Sequence, residues 1–354
     1  MKIGILTFHW ATNYGAVLQC YALQSFLESK GHTVVVIDYK PKTYDDTLIH
    51  YLKYRCFLHH KNYLREKKKE QSLKQFRESH LHLSNRVYEC AKIGDLVQGL
   101  DMIISGSDQV LNPYFLLAGE GWRCPSSAYF LDFPFKGKKI AYAVSFGCTQ
   151  YPENAIKKAS KFISVFDKVS VREVTGVNIV KAMGRNDAVI VPDPTLLQMS
   201  NFYHQIALES NLKLPNSYLY SFFIRNIDYR KKSITSLNIE DIILWNDDDN
   251  HYGLESWLSK IMHSKLVLTD SFHCMVMCLK LHKPFVIVTD LEGKQGMNDR
   301  FYTILEELKI SNRIVHKSKI DQVTSFFKEY INWEDIDSVL SNKASIASAF
   351  FNNN

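Results

Sequence analysis

Four short polar stretches each follow directly on an apolar run and hold most of the side chains suited to chemistry: His9–Gly15, Ser105–Asn112, Asp193–Thr195 and Thr269–His273. In the first, Asn13-Tyr14-Gly15-Ala16 heads a helical pattern. Gly15 lets the backbone approach a ligand, and the unpaired amides and dipole of a helix start favour an anion; the plainer reading is Asn13 as an N-cap. Ser105-Gly106-Ser107-Asp108-Gln109 packs two hydroxyls, a carboxylate and an amide into five residues. That set suits recognition of hydroxyl groups or general-base work by Asp108, against the alternative of another N-cap with Asp108 in the first helical turn. Asp270-Ser271-Phe272-His273 opens an apolar helix. A histidine there feels a positive potential that favours neutral imidazole, able to accept a proton or donate a hydrogen bond beside an anionic substrate; a satisfied core histidine is the alternative. Arg172 and Arg300 carry planar, permanently charged groups suited to carboxylate or phosphate, or to surface ion pairs.

Metal chemistry finds little support. Cys274 and Cys278 lie one helical turn apart with His282 beyond them, but no companion pair has zinc-site spacing, and both are read as small core residues. Asp247-Asp248-Asp249 lacks the spaced oxygen ligands of a calcium loop and is read as solvated. No metal is expected.

The elements that must position these residues follow from periodicity. An apolar run at Ile3–Phe8, a helical stripe through Leu18, Tyr21, Ala22, Ser25 and Phe26 ending at Gly31, and a β-branched run at Val34–Asp38 make a strand–helix–strand unit. Further strands are expected at Met102–Ile104, Ile140–Val144, Val169–Val171 and Val189–Val191, then at Tyr218–Phe223, at 242–245, at Leu266–Thr269 and at Phe285–Val288. Alternation of strands with helices implies parallel sheets whose carboxyl edges line a ligand crevice. The prolines in 192–215 mark a boundary, which gives an N-terminal domain over 1–200 with a helical insertion at about 50–82. A second domain covers 201–354, with its last helix expected to pack back on the first. The fold class is α/β, two Rossmann-type domains with mostly parallel sheets facing a central cleft.

The chain has 354 residues, 46% hydrophobic and 23% charged, which excludes wholesale disorder. Its net charge of +6 is confined to residues 50–82, which hold nine Lys/Arg and three Asp/Glu, while the rest of the chain holds 34 of each sign. A nucleic-acid-binding surface is thereby disfavoured. The basic segment reads as a solvated helical insertion over the cleft, with peripheral contact to an anionic membrane as the alternative. Seven scattered cysteines, no apolar run of membrane-spanning length and no signal-peptide cleavage pattern point to the cytoplasm, including a place at the inner face of the membrane.

Taken in order, the motifs resemble those of the polysaccharide pyruvyl transferase family. Asn13-Tyr14-Gly15-Ala16-Val17-Leu18-Gln19 with Tyr21-Ala22-Leu23-Gln24 is similar to its opening motif, and Ser105-Gly106-Ser107-Asp108-Gln109-Val110 with Asn112 to its second signature. Ser170-Val171-Arg172-Glu173 and Asp193-Pro194-Thr195 resemble its central motifs. Trp257-Leu258 with Thr269-Asp270-Ser271-Phe272-His273, then Asn298-Asp299-Arg300, resemble its C-terminal elements. Three positions depart from the pattern. Ser271 stands where some members carry Arg, Phe272 where some carry Leu, and Cys274 where many carry Gly or Ala. An anion contact must therefore come from elsewhere, with Arg300 and Lys294 as the cations at hand. The insertion at 50–82 has no counterpart in the motifs.

The resemblance implies a GT-B-like fold and transfer of the enolpyruvyl skeleton of phosphoenolpyruvate onto sugar hydroxyls. The product is a pyruvate ketal on a capsule or exopolysaccharide, or on its lipid-linked precursor. It also implies donor binding and catalysis at the Arg172 and His273 motifs. No cofactor is expected; phosphoenolpyruvate is the donor substrate and a sugar, lipid-linked or free, the acceptor. In this scheme His273 does acid/base work and Asp108 positions a hydroxyl or acts as base. Arg172 and Arg300 bind donor anions, Asn13 and Gly15 form cleft wall, and Ser107, Gln109, Asp193 and Ser271 complete the substrate-binding set. The alternatives are a nucleotide-sugar glycosyltransferase on the same plan and a non-catalytic glycan-binding relative.

Overall fold

The computed structural model describes residues 1–41, 44, 60–117, 126–225, 243–246, 251–327 and 329–352. The Asp247–Asp249 triplet and the first part of the basic insertion lie outside the described residues. Two compact units divide the chain, Met1–Pro194 and Thr195–Asn354.

The first unit opens with β1 (Lys2–Leu6), α1 (Tyr14–Ser29) and β2 (Thr33–Val36). After the insertion, whose described part is α2 (His60–His80), come α3 (Cys90–Leu96), β3 (Met102–Ser105), the short α4 (Pro113–Leu116) and β4 (Lys138–Val144). The unit ends with α5 (Glu153–Ile163), β5 (Lys168–Val171), α6 (Val174–Ala182) and β6 (Val189–Ile190). Its six strands pair in parallel in the order β2-β1-β3-β4-β5-β6. β3 is buried along its whole length, as a strand covered on both faces by crossover helices must be. The first helix is buried more widely than an amphipathic stripe requires. Twelve of its sixteen residues are buried, whereas Tyr21 and Ser25, both assigned to the stripe from sequence, are only half-buried.

The second unit holds α7 (Ser200–Leu208), β7 (Tyr218–Phe222), β8 (Ile243–Asn246), α8 (Leu254–His263), β9 (Leu266–Thr269) and α9 (Phe272–Lys280). It continues through β10 (Phe285–Thr289), α10 (Asp299–Leu305), β11 (Ile314–His316), α11 (Trp333–Ser341) and α12 (Lys343–Asn352). Its sheet is also parallel throughout, in the order β11-β10-β9-β7-β8. The last helix belongs to this unit.

Both sheets therefore share one plan: the first strand of each unit sits between its second and third, and strand order reverses there. Such a reversal opens a crevice beyond the carboxyl ends of the two flanking strands. These are β1 and β3 in the first unit, β7 and β9 in the second. In the first unit the two loops above the reversal are stitched together. Gly106 N donates to the Leu6 carbonyl at 2.9 Å and Thr7 Oγ1 to the Ser107 carbonyl at 2.9 Å. A Cβ on Gly106 would lie only 3.0 Å from Thr7 Cβ, so the close approach needs glycine.

Helix α2 shows what the basic insertion does within its described part. Leu73, Phe76 and Arg77 are buried, and Tyr21 of α1 meets Phe76 and His80 edge-on, at 5.6 and 5.2 Å between ring centroids. Gln24 of α1 donates to the His80 carbonyl and accepts from His82 N. Lys67, Lys68 and Lys74 point to solvent. Within the described part, the C-terminal half of the helix is thus a face docked on α1.

Candidate active site

Four strand ends converge in the first unit. The buried guanidinium of Arg172, just past β5, is surrounded by carboxylates. Its Nη1 donates to Asp193 Oδ2 at 2.9 Å, its Nε to Glu173 Oε2 at 3.3 Å and its Nη2 to Asp108 Oδ1 at 3.4 Å. Burial alone would depress the pKa of Arg172, but Asp193, Glu173 and Asp108 together raise it above the ordinary value. Ser107 donates to Asp193 Oδ2 at 2.9 Å, with the Ala143 carbonyl at 3.0 Å.

Asp108 is held in an unusual conformation. It is not in the first turn of a helix, as one sequence reading has it. Its φ is +78°, and it bridges to Val144 at the end of β4 while its carbonyl accepts from Ser145 N. The next helix starts only at Pro113, capped by the Asn112 side chain. Ala143, facing this bridge, has φ +50° and lies in an irregularity of the β4–β5 pairing, where its amide donates to Ser170 Oγ at 3.1 Å. Two non-glycine residues with positive φ at one strand end are a stored strain of about 1–3 kcal/mol each, of the kind that clusters at functional sites. Asp108 Oδ1 also accepts from Gln109 N at 2.9 Å. Its Oδ2 has no hydrogen-bond partner among the described residues and its side chain is 16% exposed, so one carboxylate oxygen remains open to a ligand. Gln109 and Asn112 meet at 3.4 Å beside Gly147, whose φ of +67° and tight surroundings exclude a side chain.

Asn13 and Gly15 lie at the start of α1. Asn13 Oδ1 accepts from Ala16 N at 3.2 Å, so the capping reading holds for its side chain, worth about 1 kcal/mol. Gly15 is buried in the first turn of the helix.

In the second unit, Ser271 caps α9 by accepting from Cys274 N at 3.4 Å, and its own amide donates to Thr269 Oγ1. His273 is the second residue of the helix and only 8% exposed, with its ring edge-on to Phe272 at 5.3 Å. Arg300, at the start of α10, lies over the rings of Phe272 (5.8 Å) and Phe301 (5.2 Å). Phe272, where some family members carry Leu, thus gives Arg300 an aromatic face to rest on. Lys294 is committed to Glu306 at 2.7 Å at the surface.

The structure thus groups Asn13, Gly15, Ser107, Asp108, Gln109, Arg172 and Asp193 in the first unit, and Ser271, His273 and Arg300 in the second. One role changes. Arg172, read from sequence as a donor-anion ligand, gives three donors to carboxylates of the protein itself. Sequence reading also passed over Arg225. Asp270 accepts from Ile224 N (2.7 Å) and Arg225 N (2.9 Å), clamping the loop after β7 against the loop after β9. Arg225 is thereby placed at the strand reversal, its charge facing Asp270 and Asp290. The signal available in sequence was an arginine closely following a buried strand. A cavity of about 680 Å³ lined by Leu116, Ser126, Lys157, Lys161 and Phe162 contains none of these residues.

The family model for polysaccharide pyruvyl transferases matches residues 13–290. The chain belongs to that family. The matched region includes every candidate residue except Arg300, ten positions beyond its end. No curated protein matches the sequence. Among solved structures, UDP-GlcNAc 2-epimerase from Neisseria meningitidis is similar over 100% of both chains, with 11% identity and a TM-score of 0.54. The Methanocaldococcus jannaschii UDP-GlcNAc 2-epimerase is similar over 99% of both chains, with 14% identity and a TM-score of 0.54. These likenesses show the fold: the family member described here has a GT-B-like α/β fold, with a parallel sheet in each unit. Among the described residues, no helix is long and apolar enough to cross a membrane.

Proposed function

We propose that this pyruvyl transferase family member uses phosphoenolpyruvate as donor and forms a pyruvate ketal on two hydroxyls of a sugar in a surface polysaccharide or its precursor. The observation that carries the reading is the division of chemistry between the two strand reversals: an open carboxylate oxygen on Asp108 in one unit, and His273 with Arg300 and Arg225 around a helix start in the other.

Phosphoenolpyruvate is a small dianion or trianion, and helix-start amides with nearby guanidinium groups suit its carboxylate and phosphate. A proton delivered to the methylene carbon, by His273 in this reading, leaves positive charge at C2. One sugar hydroxyl adds to C2 and gives up its proton to Asp108. The C2–O bond to phosphate breaks, a second hydroxyl adds, and its proton is released. The methylene carbon takes up one proton, the two hydroxyls give up two, and phosphate carries the second away as hydrogen phosphate. No redox change occurs and no covalent bond to the protein is needed. Arg172 positions Asp108 and Asp193 rather than holding the donor. A phosphoenolpyruvate donor goes with a cytoplasmic location for the protein in this reading.

Incubation of the protein with phosphoenolpyruvate and a panel of glycosides tests this, with acceptor mass and phosphate release followed together. Both signals should appear with at least one acceptor. Tight binding of a nucleoside diphosphate with no phosphate release from phosphoenolpyruvate would favour a glycosyltransferase instead.

A further inference from the structure

The cavity of about 680 Å³ in the first unit is built on the end of the Asp108 connection and on helix α5. Leu116, the last residue of α4, and Phe162 of α5 supply its apolar side. The wall at Ser126 and Ser127 is fixed in place. Ser126 N donates to the Phe115 carbonyl at 2.8 Å, Ser126 Oγ meets the hydroxyl of buried Tyr39 at 2.7 Å, and Ser127 Oγ donates to Asp132 Oδ2 at 2.7 Å. Both serine hydroxyls are thus taken up by the protein. The polar groups left to meet a ligand are three exposed lysines of α5: Lys157, Lys158 and Lys161.

These lysines have no counter-charge. Among the described residues none of the three forms an ion pair or a hydrogen bond, and no carboxylate or arginine lines the cavity. The one acid of α5, Glu153, sits in the first turn of the helix. Three ammonium groups with no acid among them repel one another, and a ligand bearing several negative charges turns that repulsion into attraction. The volume is that of a site for a drug-sized ligand, far larger than phosphate or phosphoenolpyruvate fills. A compact phosphate or diphosphate group is commonly gripped by the planar fork of arginine, whereas lysines offer separate point charges on long stems. Separated ammonium groups fit charges that are themselves separated, such as carboxylates spaced along a sugar chain.

We infer that this cavity binds a carboxylate-bearing oligosaccharide segment. For the origin of that segment the inference rests on the reading above: each pyruvate ketal adds one carboxylate to the glycan, so a modified stretch of product carries the spaced charges that the lysines match. Leu116 closes the connection that begins at Asp108 and runs through the cap at Asn112, so the cavity and the Asp108 carboxylate belong to one continuous piece of the first unit. A glycan held by its modified stretch keeps its next repeat near the site, and ketals are added in succession along one chain.

Trigalacturonate and its fully methyl-esterified, uncharged form are the probes, titrated calorimetrically into the full-length protein at low salt. The charged sugar should bind and the ester should not. A variant carrying Lys157→Gln, Lys158→Gln and Lys161→Gln should lose about tenfold or more in affinity, the worth of three exposed charge contacts. Its thermal unfolding should match the wild type, because all three side chains are exposed. Replacing three exposed lysines elsewhere in the unit, Lys92, Lys136 and Lys181, together by Gln gives a protein of the same net charge, which should bind as the wild type does. Turnover of the α5 variant on a single-sugar glycoside should stay within about twofold of wild type. On an oligosaccharide acceptor, mass spectrometry should show the wild type adding several pyruvates to the same chain and the α5 variant spreading single additions over many; equal distributions would overturn the succession. Equal binding of acid and ester, wild-type affinity in the folded α5 variant, or an equal loss in the control variant would overturn the site itself. Binding at these lysines of inorganic phosphate or uridine diphosphate but not of trigalacturonate would overturn it too. If trigalacturonate binds through the lysines and phosphate is never released from phosphoenolpyruvate, the site stands and the reading of the reaction fails.

Discussion

Arg172 and Asp108 touch each other, yet their replacement should fail in different ways. Arg172→Met would leave Asp193, Glu173 and Asp108 without their shared cation, two of them buried. Removing one partner of a buried ion network typically costs about 3–5 kcal/mol, so denaturant titration should show Arg172→Met strongly destabilised. Asp108→Asn keeps the shape of the side chain and its bond to Arg172 through an oxygen. It should retain most of the stability but lose about 100-fold or more in kcat, the usual worth of a general base. Arg225 gives a third pattern. Arg225 is exposed after β7, so Arg225→Ala should leave the melting temperature almost unchanged. Loss of one charge-assisted contact to the donor is worth about tenfold in the KM for phosphoenolpyruvate, with the acceptor KM steady. An unchanged donor KM would remove Arg225 from the site and leave Ser271's missing cation to Arg300.

At the scale of elements, most strands were legible because parallel strands between covering helices read as continuous apolar runs such as Ile-Ile-Ser and Leu-Val-Leu-Thr. Strand β11 was not, since three residues with half-buried ends carry no periodicity. The cap at Asn13 could be read because its chemistry is local. The conformation of Asp108 could not, because its positive φ is imposed by β4, some 35 residues later in the chain. For the same reason the ion pairs of Arg172 were legible only in kind: Glu173 is its neighbour in sequence, but Asp108 and Asp193 come from distant segments. Helix α9 carries a further testable element. Lys280 near its end is buried, donates to the Leu196 carbonyl at 3.0 Å, and burial pushes its pKa down to about 8. An unfolded lysine titrates near ~10.4, so between those values the unfolded chain binds more protons and folding stability rises with pH. Between pH 7.5 and 9.5 the wild type should therefore gain about 2 kcal/mol over Lys280→Met, measured by urea denaturation of both proteins at each pH. Equal slopes would mean that Lys280 is not desolvated as described.

On the scale of the molecule, each unit has its own parallel sheet and buried interior, and the division falls between Pro194 and Thr195. A fragment of residues 195–354 should accordingly fold alone, with α/β circular dichroism and a cooperative thermal transition; a molten profile would show that the unit depends on the rest of the chain. The net charge of +6 resides in the insertion, and within its described part the lysines crown a helix whose other face is docked on α1. Every strand pair in both sheets is parallel, and this has a consequence for how the chain reaches its native state. Among the described residues no two paired strands are joined by a tight turn, so each pairing must wait for a crossover segment to form and close a long loop. While β6 waits to join β5, its Val189 and Ile190, still 47% and 44% exposed in the finished fold, offer an apolar edge to other newly made chains. Its length of only two residues limits that hazard, because an edge so short gives a passing chain almost no ladder to extend.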